Sequence, residues 1–417
     1  MEIRIDNLTY GGKGIGTVNG KKIFVRGALP GDYLKVQIIK DKKSFSEAII
    51  NEIISPSKNR IEAECGYFER CGGCHWQNLD YKVQLEQKEE ILKDSLERIG
   101  GFKNSKIEKI EKSPKQYGYR KRLSLTCWYY KDEHKIGYYQ ENSKNRISIE
   151  ECPISASGIN EEINYLSSKL SEISVRDILL DRIILAEGDS KVCATFFSAY
   201  QQNISKIKAL IKHINRSGER NYCVQSSETN SFEFTLLNYK LYSVPSVFIQ
   251  ANSEINEKIV IDIIDVLKSL KINTMLDLYC GIGNFSLPAS EFVEELIGVD
   301  INSKAIELAK RNQKINKIKN IRFNKVRSDL FLKELKTDNY GFDLILMDPP
   351  REGAKDIIAY IIDLNPKYVM YVSCNPTTLA RDLKMLESAN YSISKIKPYD
   401  MFPNTYHIET LVLLEKN

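Results

Sequence analysis

From about residue 250 onward, short apolar runs alternate with amphipathic segments, and this alternation leaves few folds open to the chain. Strands are predicted at residues 274–279, 297–300, 342–347, 368–373 and 407–414, and helices at residues 255–270, 303–316 and 377–388. Strands that alternate with helices are typical of an α/β fold with a parallel, doubly wound sheet. Because such sheets bind ligands beside the carboxyl ends of their strands, chemistry is expected at the residues that follow each strand.

Three regions with different patterns divide the chain, and 417 residues are enough for three hydrophobic cores. Residues 1–57 alternate apolar runs with glycine turns, which predicts a small OB-like β-barrel of four or five strands. Residues 58–245 mix both periodicities and predict an α+β central domain, while residues 246–417 hold the α/β domain. In the first two regions, strands are predicted at residues 3–5, 23–25, 34–39, 48–54, 123–130, 192–197 and 232–237, and helices at residues 80–100, 161–170 and 204–214.

Composition and charge limit the setting in which the protein works. The sequence has no stretch of eighteen apolar residues, and its first residues lack the apolar run of a signal peptide, so neither a membrane span nor secretion is expected. The net charge is only +5, but residues 103–122 hold eight Lys or Arg against two Glu. Such a basic stretch is typical of phosphate-binding surfaces, and it equally suits the solvated face of a lysine-rich protein. No pattern indicates an obligate protein partner.

Nine cysteines are spread along the chain, and this odd number fits a reducing cytoplasm better than a disulfide-bonded secreted fold. Cys65, Cys71 and Cys74 lie within ten residues, and Cys152 follows far along the chain with Pro153 after it. Four thiolates suit a 4Fe–4S cluster or a zinc ion. Because zinc ribbons usually offer two close pairs, the three-plus-one spacing favours the iron–sulfur cluster, with zinc and unligated thiols as the alternatives.

A glycine turn follows the first strand of the α/β region, in the sequence LDLYCGIGNF at residues 276–285. Gly281 and Gly283 let the backbone approach a ligand closely, and the next helix would point its amino end at the same place. Asp300 ends the second strand, where a carboxylate accepts hydrogen bonds from two ribose hydroxyls in dinucleotide folds. The turn lacks the third glycine of a pyrophosphate cradle, and a tight turn without a ligand is the plain alternative. The segment resembles the first motif of class I methyltransferases, which implies S-adenosylmethionine as the ligand.

Two further strand ends carry reactive side chains. Asp348 follows the strand at residues 342–347 and precedes Pro-Pro-Arg351. Amino-group methyltransferases usually have an aromatic residue in place of this arginine, so methylation of nitrogen is disfavoured. Cys374 follows the strand at residues 368–373, and its thiol is either a nucleophile or a small buried hydrophobe.

A thiol at this edge of the sheet suits chemistry on uracil, whose carbon 5 is a poor nucleophile. Attack of a thiolate on carbon 6 makes carbon 5 carbanion-like, so that it accepts a methyl group. The carbon 5 proton must then pass to a base. Glu409 is the candidate base and His407 is the alternative. The alternative explanation of Glu409 is a carboxylate that lies exposed on a strand and has no catalytic role.

The sequence closely resembles the bacterial C5-uracil RNA methyltransferases over essentially its whole length. It resembles in particular the branch with an N-terminal TRAM barrel and an iron–sulfur cluster, typified by 23S ribosomal RNA uracil-5-methyltransferases. The matching signatures are residues 248–252, 277–285, 348–353, 373–376 and 407–410. The resemblance implies a class I methyltransferase domain with a Rossmann-like sheet, and a TRAM domain over residues 1–57 that binds RNA.

The resemblance also implies roles for individual residues. Cys374 is implied as the nucleophile and Glu409 as the base. The implied S-adenosylmethionine-binding residues are Gln250, Tyr279, Asn284, Asp300 and Asp348, the implied RNA-binding residues are Arg120, Lys121 and Arg122, and the implied ligands of the 4Fe–4S cluster are Cys65, Cys71, Cys74 and Cys152.

The expected substrate is a uridine in RNA, most specifically in 23S ribosomal RNA, flipped out of its stack. Phe248 or Tyr279 would stack on this base or simply pack in the core. A tRNA uracil-5-methyltransferase is the first alternative, because some relatives with a TRAM domain act on tRNA. A non-catalytic RNA-binding assembly factor is the second alternative, and an intact Cys374 with Glu409 argues against it. The main interpretation requires these two side chains to meet beside the glycine turn.

Overall fold

Each of the three regions builds a main sheet of its own in the computed structural model, which describes residues 1–141, 143–173, 178–225, 230–338 and 340–417. Within these ranges the model also has one two-stranded sheet. No helix in the described ranges has both the length and the apolar character needed to cross a membrane.

The N-terminal region forms a six-stranded sheet that closes on itself. Its strands are β1 Glu2–Arg4, β2 Asn7–Leu8, β3 Gly14–Val18, β4 Lys21–Val25, β5 Tyr33–Asp41 and β6 Phe45–Ser55. They are ordered β1-β5-β6-β4-β3-β2. A Cβ atom on Gly16 would lie 2.2 Å from the carbonyl oxygen of Arg4, so β1 and β3 touch and the sheet curls into a barrel. The sequence predicted four or five strands, one or two fewer than the structure has, and β2 with only two residues is too short to leave a sequence pattern.

The central region adds a second six-stranded sheet covered by helices. In chain order its elements are α1 Tyr81–Ser95, β7 Arg122–Tyr130, β8 Glu133–Tyr139, β9 Arg146–Ser148, α2 Ser157–Ser171, β10 Arg182–Glu187, β11 Val192–Phe197, α3 Ile204–Ile214, β12 Asn221–Val224, β13 Phe232–Leu236 and β14 Tyr239–Ser243. The main sheet is ordered β12-β11-β10-β7-β8-β9, and β13 pairs with β14 alone. Buried apolar residues of α2 and α3, such as Ile163 and Leu210, share one core with the sheet.

The C-terminal region is a seven-stranded sheet between two layers of helices. In chain order its elements are α4 Ser253–Ser269, β15 Thr274–Leu278, α5 Ser286–Ala289, β16 Glu295–Asp300, α6 Ser303–Ile315, β17 Ile321–Lys325, α7 Ser328–Asp338, β18 Leu344–Met347, α8 Lys355–Leu364, β19 Tyr368–Ser373, α9 Pro376–Glu387, β20 Tyr391–Tyr399 and β21 Glu409–Lys416. One face packs against α4, α5 and α6, and the opposite face packs against α7, α8 and α9. Helix α1 also joins the second layer through Leu92.

The direction of the last strand, β21, differs from the parallel sheet that the sequence predicted. The order is β17-β16-β15-β18-β19-β21-β20. Strands β15 to β19 are parallel, whereas β21 is antiparallel to both β19 and β20. The connection from β20 to β21 contains no crossover helix, so the chain returns in the opposite direction. The first residue of β21 therefore lies at the same edge as the carboxyl ends of the parallel strands.

Candidate active site

A cavity of about 460 Å³ opens at this edge of the C-terminal sheet, where ligands are expected. It is lined by Val247, Phe248, Gln250, Tyr279, Gly281, Asp300, Asn302, Ala305, Asp348, Pro349, Pro350, Arg351, Cys374, Phe402, His407 and Glu409. Both predicted catalytic residues and four of the five predicted S-adenosylmethionine-binding residues are among them. The volume falls in the range typical of pockets for small ligands.

Cys374 reaches the cavity from a tight turn between β19 and α9. Asn375 caps the helix, since its side chain accepts a hydrogen bond from the Thr377 amide at 3.0 Å, and Pro376 occupies the first helical position. Burial, followed by the charges of Glu409 and Asp348, raises the pKa of the Cys374 thiol to about 12, while Arg351 opposes the shift. The free protein therefore holds a protonated thiol.

Glu409 is brought next to Cys374 by strand pairing. Ser373, the last residue of β19, pairs with Thr410 of the neighbouring antiparallel strand, so residues 374 and 409 follow one another across the ladder. The Glu409 side chain is buried, with the residue only 3% exposed, and its Oε1 has no hydrogen-bond partner within the described part of the chain. A buried acceptor without a partner is costly, so this atom is available to a ligand.

The buried Glu409 and the half-buried Asp348 form a pair of interacting acids. Burial and the charge of Asp348 hold the pKa of Glu409 well above its ordinary range. Burial also raises the pKa of Asp348 to about 7, although the Gln250 Nε2, which donates to Asp348 at 3.1 Å, acts against the shift. Two carboxyl groups in such a space do not both ionise readily, so the pair retains a proton near neutral pH.

Arg351 and His407 meet on the same side of the cavity. Arg351 Nη2 lies 3.1 Å from His407 Nε2. Burial, followed by the guanidinium charge of Arg351, lowers the pKa of His407 to about 3. The imidazole is therefore neutral and accepts a hydrogen bond from Arg351, which makes it a poor proton acceptor compared with a buried carboxylate. The geometry favours Glu409 over His407 as the base.

The glycine turn forms the opposite wall with Asp300. The Asp300 carboxylate accepts hydrogen bonds from the Gly281 amide at 3.0 Å and the Asn302 amide at 2.7 Å, which fixes it at the end of β16. Tyr279 has a positive φ of 64°, an unfavourable conformation that is often found at functional sites. Phe248 lines the same cavity and is 63% exposed, so it offers an apolar surface for a ligand to cover.

Asn284 does not line the cavity, unlike the other predicted S-adenosylmethionine-binding residues. Its side-chain amide exchanges two hydrogen bonds with the amide of Asn256, at 2.8 and 2.9 Å. Asn284 thereby ties the glycine turn to α4 rather than facing a ligand directly.

Among the lining residues without a site role in the sequence-based prediction, two are polar, Arg351 and Asn302. Arg351 was treated only as evidence against nitrogen methylation, yet it is the cation that faces Cys374 and Glu409. Asn302 caps α6, with its side chain accepting from the Lys304 amide at 3.0 Å. An Asn between a strand and a helix is a recognisable cap signal, so the position of Asn302 is predictable from the sequence. The hydrogen bond from its backbone amide to Asp300 is not.

Comparison with known proteins agrees with this geometry. A family model described as tRNA (Uracil-5-)-methyltransferase matches residues 80–417, and a TRAM domain model matches residues 1–50. The chain belongs to the tRNA (uracil-5-)-methyltransferase family. It is therefore an S-adenosylmethionine-dependent RNA uracil-5-methyltransferase with a TRAM domain at its N-terminus, as the resemblance implied.

Relatives of this methyltransferase are named for two kinds of RNA. The 23S rRNA (uracil(1939)-C(5))-methyltransferase RlmD of Marinomonas sp. (strain MWYL1) is 32% identical over 99% of this chain and 94% of that protein. RlmD of Aeromonas salmonicida (strain A449) is 32% identical over 100% of this chain and 96% of that protein. The crystal structure of Pyrococcus abyssi tRNA (uracil-54, C5)-methyltransferase with S-adenosyl-L-homocysteine has a TM-score of 0.72 and 26% identity, covering 99% of this chain and 100% of that one.

The four predicted cluster cysteines of the methyltransferase lie near one another. Burial raises the pKa of Cys71 to about 11 and that of Cys74 to about 12, and for both thiols Cys152 and Cys65 add to the shift. The four thiols are therefore close enough to influence one another electrostatically. In the described ranges, however, no group of three or more His, Cys, Asp or Glu side chains is arranged to hold a single metal ion.

The predicted RNA-binding segment of the methyltransferase runs beside the cavity. The Lys121 amide donates to the Ala251 carbonyl at 2.9 Å, next to Gln250. Arg120 Nε donates to the Arg122 carbonyl and Arg122 Nε donates to the Pro245 carbonyl, both at 3.0 Å. The first bond holds the Arg120 guanidinium against the first residue of β7. The second holds the Arg122 guanidinium against Pro245, which precedes the cavity-lining residues Val247, Phe248 and Gln250.

Proposed function

We propose that this enzyme methylates carbon 5 of a uridine in 23S ribosomal RNA through a covalent bond between Cys374 Sγ and carbon 6 of the base. Glu409 then removes the proton from carbon 5. The observation that carries the proposal is that Cys374 and Glu409, from neighbouring antiparallel strands, line one cavity with Asp300 on its opposite wall.

The first half of the reaction belongs to Cys374. Its thiol gives up a proton to water, the sulfur adds to carbon 6, and the electron pair of the double bond moves toward oxygen 4 to give an enolate. Arg351, which opposes the raised pKa of Cys374, stabilises the negative charge at this stage. When bound, S-adenosylmethionine supplies an electrophilic methyl group. Carbon 5 of the ring forms its new bond to that methyl group as the bond from the methyl carbon to the sulfonium sulfur breaks, which would leave S-adenosylhomocysteine.

The second half belongs to Glu409. Its carboxylate takes the proton from carbon 5, the double bond re-forms, and the bond between Sγ and carbon 6 breaks. A raised pKa suits this step, because a carboxylate that binds protons readily is a stronger base. The free Oε1 of Glu409 is the atom that we assign to this transfer.

The cavity wall around the glycine turn fits S-adenosylmethionine. The anchored carboxylate of Asp300 is suited to ribose hydroxyls, and Tyr279, Gln250 and Asp348 complete the polar lining. A Cβ atom on Gly281 would meet no atom within 4 Å, so the backbone faces open space there. Asn284 would act indirectly, by holding the turn against α4.

Ribosomal RNA is the preferred substrate, because relatives at 32% identity that match this chain over 99% of its length are named as 23S rRNA enzymes. A tRNA substrate is the second candidate, favoured by the TM-score of 0.72 with an archaeal tRNA enzyme. In either case the TRAM domain and residues Arg120, Lys121 and Arg122 would bind the phosphates, and the target base would flip into the cavity beside Phe248.

Cys65, Cys71, Cys74 and Cys152 would hold a 4Fe–4S cluster. The donor set suits this group, because three thiols within ten residues and a fourth thiol that acts on them electrostatically supply the four thiolates that such a cluster needs. The cluster would fasten residues 65–74 to the central sheet, and the proposed chemistry does not use its electrons. A reducing cytoplasm fits both this cluster and a ribosomal substrate.

Transfer of labelled methyl groups to RNA identifies the substrate. We expect label from S-adenosylmethionine to reach 5-methyluridine in 23S ribosomal RNA from cells that lack the enzyme. Label confined to tRNA would support the second candidate, and RNA that stays unlabelled would contradict both.

Trapping of the protein on 5-fluorouridine RNA tests the covalent step. Fluorine at carbon 5 cannot leave as a proton does, so the adduct of wild-type enzyme should persist after methyl transfer and should be lost in Cys374→Ala. Cys127→Ala, which changes a thiol buried in the central core, should still form the adduct. Glu409→Gln should accumulate an adduct even on ordinary uridine RNA, whereas Glu415→Gln, on an exposed part of β21, should not. An adduct in Cys374→Ala would refute the assignment.

A further inference from the structure

The turn between β2 and β3 of the TRAM domain reaches the back of the methyltransferase site. The hydroxyl of Tyr10 in this turn donates a hydrogen bond to the backbone carbonyl of Cys374 at 3.3 Å. Burial raises the pKa of Tyr10, and Cys374 is the next cause of the shift. The hydroxyl therefore keeps its proton and remains a donor. A residue of the RNA-binding module thus contacts the very residue that carries the nucleophile.

A second set of contacts runs from Tyr10 toward Glu409, the proposed proton acceptor. The Tyr10 ring packs edge-on against Tyr406, with centroids 5.2 Å apart, and the Tyr406 ring lies 4.3 Å from that of His407. His407 in turn accepts from Arg351 in the cavity. These residues immediately precede Glu409 on the chain, so the same tyrosine supports both sides of the reaction.

The turn is held firmly enough for Tyr10 to transmit position. Trp76 Nε1 donates to the Gly12 carbonyl at 3.3 Å. A Cβ atom on Gly12 would lie 3.2 Å from the Tyr406 ring and 3.1 Å from His75, so the turn is in close contact with both. Gly11, by contrast, would meet nothing within 4 Å, although both glycines have a positive φ.

We propose that Tyr10 is a positioning residue for methyl transfer, acting through the Cys374 carbonyl and the Tyr406 ring to align the nucleophile and the base with the bound uridine. The TRAM domain would then contribute to the rate of the chemical step and not only to RNA affinity. The inference deepens the proposed covalent mechanism and rests on it. Its physical basis is that small misplacements of reacting groups cost large factors in rate.

Tyr10→Phe removes the hydroxyl and keeps the ring. At saturating 5-fluorouridine RNA we expect adduct formation about threefold to tenfold slower than in wild type, which is the worth of one neutral hydrogen bond. The dissociation constant for RNA should stay within about twofold, because the hydroxyl faces the Cys374 backbone and not the RNA. Tyr33→Phe is the matched control, since it removes another TRAM hydroxyl that contacts only the neighbouring Glu2 at the exposed surface.

A pair of glycine variants tests the contact with Tyr406 independently. Gly12→Ala and Gly11→Ala strain the same turn at a positive φ, but the new methyl group presses on Tyr406 only in the first. We expect slower adduct formation in Gly12→Ala than in Gly11→Ala, with circular dichroism showing both folded.

Three results would overturn the role of Tyr10. The first is an adduct rate in Tyr10→Phe equal to that of Tyr33→Phe. The second is a loss of RNA affinity as large as the loss of rate. The third is an equal rate in the two glycine variants. Failure of the wild-type enzyme itself to form an adduct would instead refute the covalent mechanism, and with it any role of Tyr10 in that mechanism.

Discussion

At the scale of single residues, a thiol and two carboxyl groups share a buried space in which they do not all carry charge. Asp348 and Glu409 raise each other's cost of ionisation, and both raise that of Cys374. Arg351 is the nearby cation that offsets them. The resting site therefore holds protons that it must release before sulfur attacks and before carbon 5 is deprotonated, so its activity depends on pH.

Replacing Asp348 by Asn tests this dependence. Reaction requires deprotonated Cys374 and Glu409, so the rate of single-turnover methylation should rise with pH in the wild type. Loss of the negative neighbour lowers both pKa values, and we expect the rising limb to move about one pH unit or more to the acid side, even if the maximal rate falls.

Asp363→Asn is the control for this measurement, because it removes an exposed acid of α8 that is paired with Lys336. Its profile should coincide with that of the wild type. An unshifted profile in Asp348→Asn would mean that Asp348 does not govern either titration.

At the scale of elements, the segment at residues 400–408 connects β20 to β21 and carries His407 to the cavity. Helix α1 holds this segment in place through polar contacts of Lys88 and Tyr81. Lys88 forms an ion pair with Asp400 in which both side chains are fully buried, and its Nζ also donates to the Phe402 carbonyl at 3.0 Å. The hydroxyl of Tyr81 donates to Asp400 at 2.7 Å.

Lys88→Met should strongly destabilise the protein, because it leaves Asp400 buried without its counter-ion. We expect a loss of about 3–5 kcal/mol in the free energy of unfolding, measured by urea denaturation. Lys82→Met, on the exposed side of the same helix with 86% of its side chain in solvent, should change little. Equal stability of the two variants would show that the buried pair contributes no more than a surface charge.

The sequence predicted the buried strands well and the edge of the sheet poorly. β15 and β19 were predicted to within one residue, because both faces of these strands are covered by helices and the apolar runs are continuous. β20 was missed, since it contains two lysines and Pro398 and alternates in burial. Strand direction leaves no mark on an apolar pattern, so the antiparallel course of β21 had to come from the coordinates.

The same physical factors determine which features of the site the sequence predicts and which it does not. Asp300, Asp348 and Cys374 were found because each follows a strand. The contact of Tyr10 with Cys374 joins parts of the chain that lie far apart, and no periodicity in either segment predicts it.

At the scale of the whole molecule, the central and C-terminal regions meet at Asn404, and the N-terminal region joins them through the Gly12 carbonyl, which accepts from Trp76 Nε1. The Asn404 carbonyl accepts from the His75 and Trp76 amides at 2.9 and 3.0 Å, and its own backbone amide donates to Gln84 Oε1 at 3.0 Å. The cysteine-rich segment and α1 are thereby attached to the loop that leads into Glu409. The proposed cluster stands directly beside this junction, since Cys74 precedes His75.

Cys152→Ser tests the cluster and its structural role together. We expect loss of bound iron and sulfide, loss of the brown iron–sulfur absorbance, and a lower melting temperature, since residues 65–74 would no longer be fastened to the central sheet. Cys223→Ser should retain the iron, because this buried thiol lies by Thr195 and the Ala194 carbonyl, where a hydroxyl also fits. Zinc in place of iron would contradict the cluster and support the other metal.

The insertion of β21 between β19 and β20 has a consequence for refolding. β20 precedes β21 along the chain, yet it has no direct partner in the main sheet until β21 arrives between it and β19. A partly folded molecule can thus present its sulfur at the end of β19 while it still lacks a proton acceptor. Enzymatic turnover should recover only when β21 pairs with β19 and β20, which is later than the recovery of helix content. The return of activity during refolding therefore reports on the last step of assembly.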